Sequence, residues 1–69
     1  MNVLKVNGVA KEFPQGLPDT LAKLLVELRV ESATVVAEID GEIIEFEKFA
    51  QTSLQPGQSI ELMRFMPGG

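Results

Sequence analysis

Met1 to Val6 alternates loosely between apolar and polar residues and is rich in Val and Leu, which predicts a strand. Asn7-Gly8 follows. An Asn-Gly pair between apolar segments predicts a tight hairpin, because both residues tolerate the positive φ of a type I′ turn. Val9 to Phe13 is then the returning strand, with Val9, Lys11 and Phe13 on one side and Ala10 and Glu12 on the other. Pro14, Gly16 and Pro18 end it in a loop. Beyond the loop the period changes. Leu21, Leu24, Leu25 and Leu28 fall at i, i+3, i+4 and i+7, so the leucines form one stripe of a helix from about Leu21 to Arg29. Asp19 and Thr20 directly before it are both competent N-caps. A helix this short is marginal in isolation and must lie on a sheet.

Period-two patterning returns at Thr34 to Ile39, where Val35, Ala37 and Ile39 share a face. Asp40-Gly41 is a second tight-turn signal, and Glu42 to Phe46 reads as a short apolar-acidic strand. Glu47 to Ala50 reads as a turn of helix anchored by Phe49. Pro56-Gly57 is placed for a type II turn, and Ser59 to Phe65 is the last strand. This order predicts an α+β fold: a mixed sheet of four to five strands with one main helix on one face. A right-handed crossover from the second strand through the helix to a parallel neighbour is the expected connection. One domain occupies residues 1–65, and residues 66–69 form a flexible tail that ends in Gly-Gly.

Composition narrows the chemistry more than the fold. Of the 69 residues 45% are apolar, which suits a small globular domain and not a disordered one. There is no Cys and no His, so thiol nucleophiles, imidazole bases, Ser-His triads and most zinc sites are excluded, and no metal site is expected. Ten acids against six bases give a net charge of −4, which argues against nucleic-acid binding. No apolar run approaches the ~20 residues of a membrane span, and the N-terminus lacks signal-peptide features, so a cytoplasmic location is expected. Asp40, Glu42, Glu45 and Glu47 cluster near a turn, for which a solvated acidic surface is the commoner explanation than an active site.

The last strand and its end carry the remaining chemistry. Ile60 and Leu62 share one face with Arg64, while Glu61, Met63 and Phe65 share the other. If Ile60 and Leu62 meet the helix, Met63 and Phe65 lie on the open side. Met, Arg and aromatic residues are enriched in interfaces, which makes Met63, Arg64 and Phe65 candidate docking residues. The alternatives are a cover of loops over this face, or a bulge that turns Phe65 inward. Pro67 holds the chain extended and releases it into Gly68-Gly69. Two glycines without Cβ atoms can thread a slot that excludes any side chain, and the last group is a carboxylate. Transfer of AMP from ATP would convert it to a mixed anhydride. A sulfur donor could then displace AMP and leave a thiocarboxylate, with no side chain from this protein needed. An incidental loose end is the competing reading of the two glycines.

Several stretches together resemble a known family. They are Asn7-Gly8 after the first strand, Thr20-Leu21 leading to Leu24-Leu25 and Leu28, and Val36 to Gly41 with Ile43-Ile44. Phe49, the Pro56-Gly57-Gln58 turn and the strand into Gly68-Gly69 complete the set. The chain is similar over nearly its whole length to the sulfur carrier proteins of thiamin biosynthesis, the ThiS family, within the ubiquitin-like β-grasp fold. The resemblance implies a carrier and not an enzyme. A ubiquitin-activating-like (ThiF-type) adenylyltransferase would use ATP and magnesium to adenylate Gly69. Gly69 would then bear a thiocarboxylate made with a sulfur donor enzyme and deliver sulfur to a ThiG-type thiazole synthase. Gly68 and Pro67 would pass through the partner's channel. Met66-Pro67 departs from the small or β-branched residues expected before the glycines. The alternatives are the small subunit of molybdopterin synthase or another sulfur carrier, a ubiquitin-like protein modifier, and a plain interaction domain.

Overall fold

The computed structural model describes residues 1–64. The expectations placed on Phe65, Met66, Pro67, Gly68 and Gly69, and the domain boundary after residue 65, lie outside the described residues. The chain forms β1 (Val3–Val6), β2 (Val9–Glu12), α1 (Leu21–Glu27), β3 (Val35–Ile39), β4 (Glu42–Ile44) and β5 (Ser59–Arg64). Short 3-10 turns cover Ser32–Thr34 and Phe46–Gln51.

The five strands make one sheet in the order β2-β1-β5-β3-β4. β1 and β5 are parallel at its centre, while β1 pairs antiparallel with β2, and β3 pairs antiparallel with both β5 and β4. This is the mixed-sheet, one-helix arrangement of the ubiquitin-like β-grasp fold. The expected crossover to a parallel neighbour is corrected in one respect. β3 runs in the same direction as β2, but β1 and β5 lie between them. The central pair supplies the reason: Leu4 and Ile60 are both fully buried, whereas every residue of β2 is exposed. The fully exposed β2 takes an edge, where Lys11 and Glu12 discourage pairing with other chains.

Helix α1 closes one face of the sheet. Leu21, Leu24 and Leu25 of the predicted stripe are fully buried and Leu28 is half-buried. They pack with Leu4, Val35, Ala37, Ile39, Phe49 and Ile60 in one core, and among the described residues no polar or charged side chain is buried. Of the two competent caps, Thr20 acts: its Oγ1 accepts from the Lys23 N–H at 3.2 Å. The helix stops at Glu27 and not Arg29, because Arg29 turns into the left-handed region (φ 59) and the Val30 N–H donates back to the Leu25 carbonyl. β4 likewise ends at Ile44, before the expected Phe46. Phe46 begins the 3-10 turn and stacks edge-on against buried Phe49, with centroids 5.6 Å apart. Among the described residues no helix is long and apolar enough to cross a membrane.

Candidate functional site

The candidate site lies where β5 leaves the sheet, and two turns position that strand. Asn7 (φ 50) with Gly8 (φ 83), and Asp40 (φ 51) with Gly41 (φ 86), have the positive angles of type I′ turns. Each turn also reaches sideways to β5. Asn7 Oδ1 accepts the Leu62 N–H at 2.7 Å, and Asp40 Oδ1 accepts the Ser59 N–H at 2.9 Å. Backbone bonds accompany them: the Asn7 N–H donates to the Ile60 carbonyl, and the Asp40 N–H to the Ser59 carbonyl, both at 2.8 Å. The two turns therefore hold β5 from opposite sides, with Ile60 sealed into the core between them. Both Asx-Gly pairs stand out in the sequence as turns, but this second use of their side chains does not. The signal available was the residue type, since Asn and Asp side chains commonly satisfy nearby backbone donors.

Beyond Leu62 the strand divides its side chains between two surfaces. Met63, opposite Val36, is 44% exposed on the face away from α1. On the same face Glu38 lies directly opposite Glu61 and beside Ile43, which is 63% exposed. Arg64, opposite buried Val35, points to the helix side. There it lines a groove of about 390 Å³ with Val6, Asn7, Leu28, Val30, Val35 and Leu62. Met63 and Arg64 are thus exposed, as candidate docking residues must be, but they do not share a face. Phe65, the third candidate docking residue, lies outside the described residues, as do Pro67, Gly68 and Gly69. The contributions of Leu28 and Val30 to the groove have no counterpart in the sequence pattern. They follow from the left-handed turn at Arg29, which folds Val30 back against the core.

The described body offers little chemistry of its own. Among the described residues no group of three or more Asp or Glu side chains comes close enough to hold a metal ion. Every carboxylate near the Asp40-Gly41 turn except Glu38 is exposed. The arrangement is a rigid strand held on both sides, with an exposed Met63 on one face and a groove on the other.

The ThiS family model matches residues 4–69. The chain belongs to the ThiS family. Its relatives of known structure agree with the fold. A crystal structure of the ThiS thiamine biosynthesis protein from Geobacter metallireducens is 33% identical and has a TM-score of 0.82, covering 97% of this chain and 99% of that one. A solution structure of a thiamine biosynthesis protein from the same organism is 34% identical with a TM-score of 0.78, covering 100% of this ThiS chain and 88% of that one. A curated relative named thiazole synthase, from Paramagnetospirillum magneticum, is 33% identical over 66 residues. The match takes in 96% of this ThiS chain and 20% of the relative, so the chain spans about one fifth of that relative's length.

Proposed function

We propose that this ThiS-family chain is a sulfur carrier for thiazole formation in thiamin biosynthesis, and acts as a protein co-substrate and not as an enzyme. The observation that carries the reading is the family match over residues 4–69, which takes in Gly68-Gly69, in a sequence with no Cys or His. A carboxylate oxygen of Gly69 attacks the α-phosphorus of ATP, held with magnesium by a ThiF-type adenylyltransferase, and pyrophosphate leaves. A sulfur donor enzyme then supplies a sulfur nucleophile that displaces AMP, and a thiocarboxylate remains on Gly69. The thiocarboxylate is ionised at neutral pH and is a good nucleophile toward the thiazole precursor. The thiazole synthase relative favours a thiazole-forming recipient over a molybdopterin one, because a segment like this chain occupies about one fifth of that single polypeptide. Pro67 and Gly68 give the slender passage that lets Gly69 reach both enzymes, and residues 1–65 form the body that they recognise, through Met63, Arg64 and Phe65. Such a carrier works in the cytoplasm with its nucleotide-using partner.

The intact mass of the protein purified from its host tests the reading. A terminal oxygen replaced by sulfur is expected. Isopeptide conjugates to other proteins would instead identify a modifier, and neither form, even after incubation with the adenylyltransferase, ATP, magnesium and a sulfur source, would sink the carrier reading. Deleting Gly69 is expected to abolish activation while the melting temperature stays the same. Activation that survives the deletion overturns the site. Rescue of a deletion strain by the thiazole unit of thiamin, and not by the molybdenum cofactor, identifies the recipient.

A further inference from the structure

We propose that Asn7-Gly8 is a site of covalent self-modification, held latent by the bond that the Asn7 side chain makes to β5. The reaction is loss of ammonia through a cyclic imide, and neither its chemistry nor its control depends on the carrier reading. The Gly8 nitrogen gives up its proton to solvent base and attacks Asn7 Cγ, and the new N–Cγ bond closes a five-membered ring. The Cγ–Nδ2 bond breaks, and the side-chain nitrogen takes a proton from solvent and leaves as ammonia. Water then opens the imide. Addition at Cγ breaks the N–Cγ bond and yields aspartate. Addition at the main-chain carbonyl breaks the original peptide bond and yields isoaspartate, in which the chain runs through Cβ. Nothing is oxidised or reduced, and water is the only co-reactant.

The residue types and their exposure suit this attack, and the fold opposes it. Both residues are exposed, and Gly8 has no side chain to shield its nitrogen. Among the described residues nothing outside the turn lies within 4 Å of where a Gly8 Cβ would stand. Asn2, the other asparagine, is followed by β-branched Val3, which crowds the same approach. The folded turn, however, aims the Gly8 nitrogen elsewhere. Asn7 at φ 50 and Gly8 at φ 83 form a type I′ turn, in which ψ of the first residue is about +30°. That rotation puts the Gly8 nitrogen across the Cα–C bond from Cβ, whereas the ring needs both on one side. The amide itself is also held. The Lys5 and Asn7 N–H groups donate to the Gln58 and Ile60 carbonyls, and the next bond of this parallel ladder would join the Leu62 N–H to the Asn7 carbonyl. The chain turns there, and Asn7 Oδ1 takes the Leu62 N–H instead, at 2.7 Å. The ring closes only when that bond and the turn open together. Asp40-Gly41 has the same turn (φ 51 and 86) and the same kind of bond, from the Ser59 N–H to a carboxylate oxygen. An aspartate at position 7 therefore keeps the clamp. Isoaspartate loses it, because its carboxylate hangs directly on Cα while its backbone gains a carbon.

The wild-type protein, incubated at mildly alkaline pH with and without urea, tests both the site and its control. Fragment masses follow the exchange of amide for acid at each asparagine. In urea Asn7 is expected to react well ahead of Asn2. In the folded protein Asn7 is expected to react at least about tenfold more slowly than in urea, because only the locally opened turn is reactive. The two products are then separated by chromatography, refolded and compared by hydrogen exchange. The aspartate form is expected to keep the slow exchange of the Leu62 amide seen in the unmodified protein, and the isoaspartate form to lose it. Failure of Asn7 to outrun Asn2 in urea overturns the site. Equal rates at Asn7 in the folded and unfolded chain overturn its control by the turn. An isoaspartate form whose Leu62 amide is as protected as before overturns the link to β5.

Discussion

The two ends of β5 differ more than any other two regions of this molecule. From Ser59 to Leu62 the strand has neighbours on both sides, two side-chain clamps and a fully buried Ile60. At Met63 and Arg64, among the described residues, it pairs with β3 alone, and both side chains are exposed. The first part is built like a protein interior and the second like an interface, yet they are consecutive in one strand of six residues. The difference teaches where stability and recognition are separated. The fold is secured up to Leu62, and the two described residues after it are exposed.

Breaking the first part should cost the most. Ile60→Ala removes a side chain from the centre of the core and is expected to destabilise the protein by about 2–5 kcal/mol in denaturant unfolding. The fraction that remains folded should still be activated normally. A selective loss of activation with unchanged stability would erase the division between the two parts. The clamps come next. Asn7→Gly and Asp40→Gly keep the positive φ of each turn and delete only the oxygen that reaches β5. Each is expected to cost about 1 kcal/mol. Asn7→Gly should also speed amide exchange at Leu62, and Asp40→Gly at Ser59.

The outer part should answer in the opposite way. Met63→Ser is expected to change stability by less than about 0.5 kcal/mol while weakening association with the adenylyltransferase. A large stability loss would mean that Met63 is part of the core. The smallest effect is a gain. Glu38 and Glu61 are directly opposite on the open face, and like charges so placed repel. Glu38→Gln is expected to raise stability by about 0.5 kcal/mol at low salt, and the gain should fade as salt is added. A loss at low salt would show that Glu38 has a favourable contact that outweighs the repulsion.

Most of the elements were legible in the sequence because each combined a period with a boundary signal. The leucine stripe with Thr20 before it marked α1, and Asn7-Gly8 and Asp40-Gly41 marked the hairpins. The errors fell where the local pattern does not decide. Arg29 directly follows the last leucine of the stripe and suits a helix, but a left-handed turn there ends the helix earlier. Phe46 continues the apolar run of β4, but its packing against Phe49 draws it into a 3-10 turn. The placement of β3 with β1 and β5 between it and β2 is a property of the whole sheet and not of either segment. The exposure of Met63 and the opposite facing of Arg64 followed from alternation alone. The groove did not, because it is made by residues from β1, β3, β5 and the end of α1, which only the folded chain brings together.

The parallel pairing of β1 with β5 has a mechanical consequence. Met1 and the end of β5 leave this pair in opposite directions, so tension on the C-terminus loads the bonds between the strands in shear. The Lys5–Gln58 and Asn7–Ile60 bonds, together with the two side-chain clamps, share that load and do not open one after another. A strand at the edge of a hairpin would peel under the same pull. The body therefore keeps its shape while the end of β5 is under load.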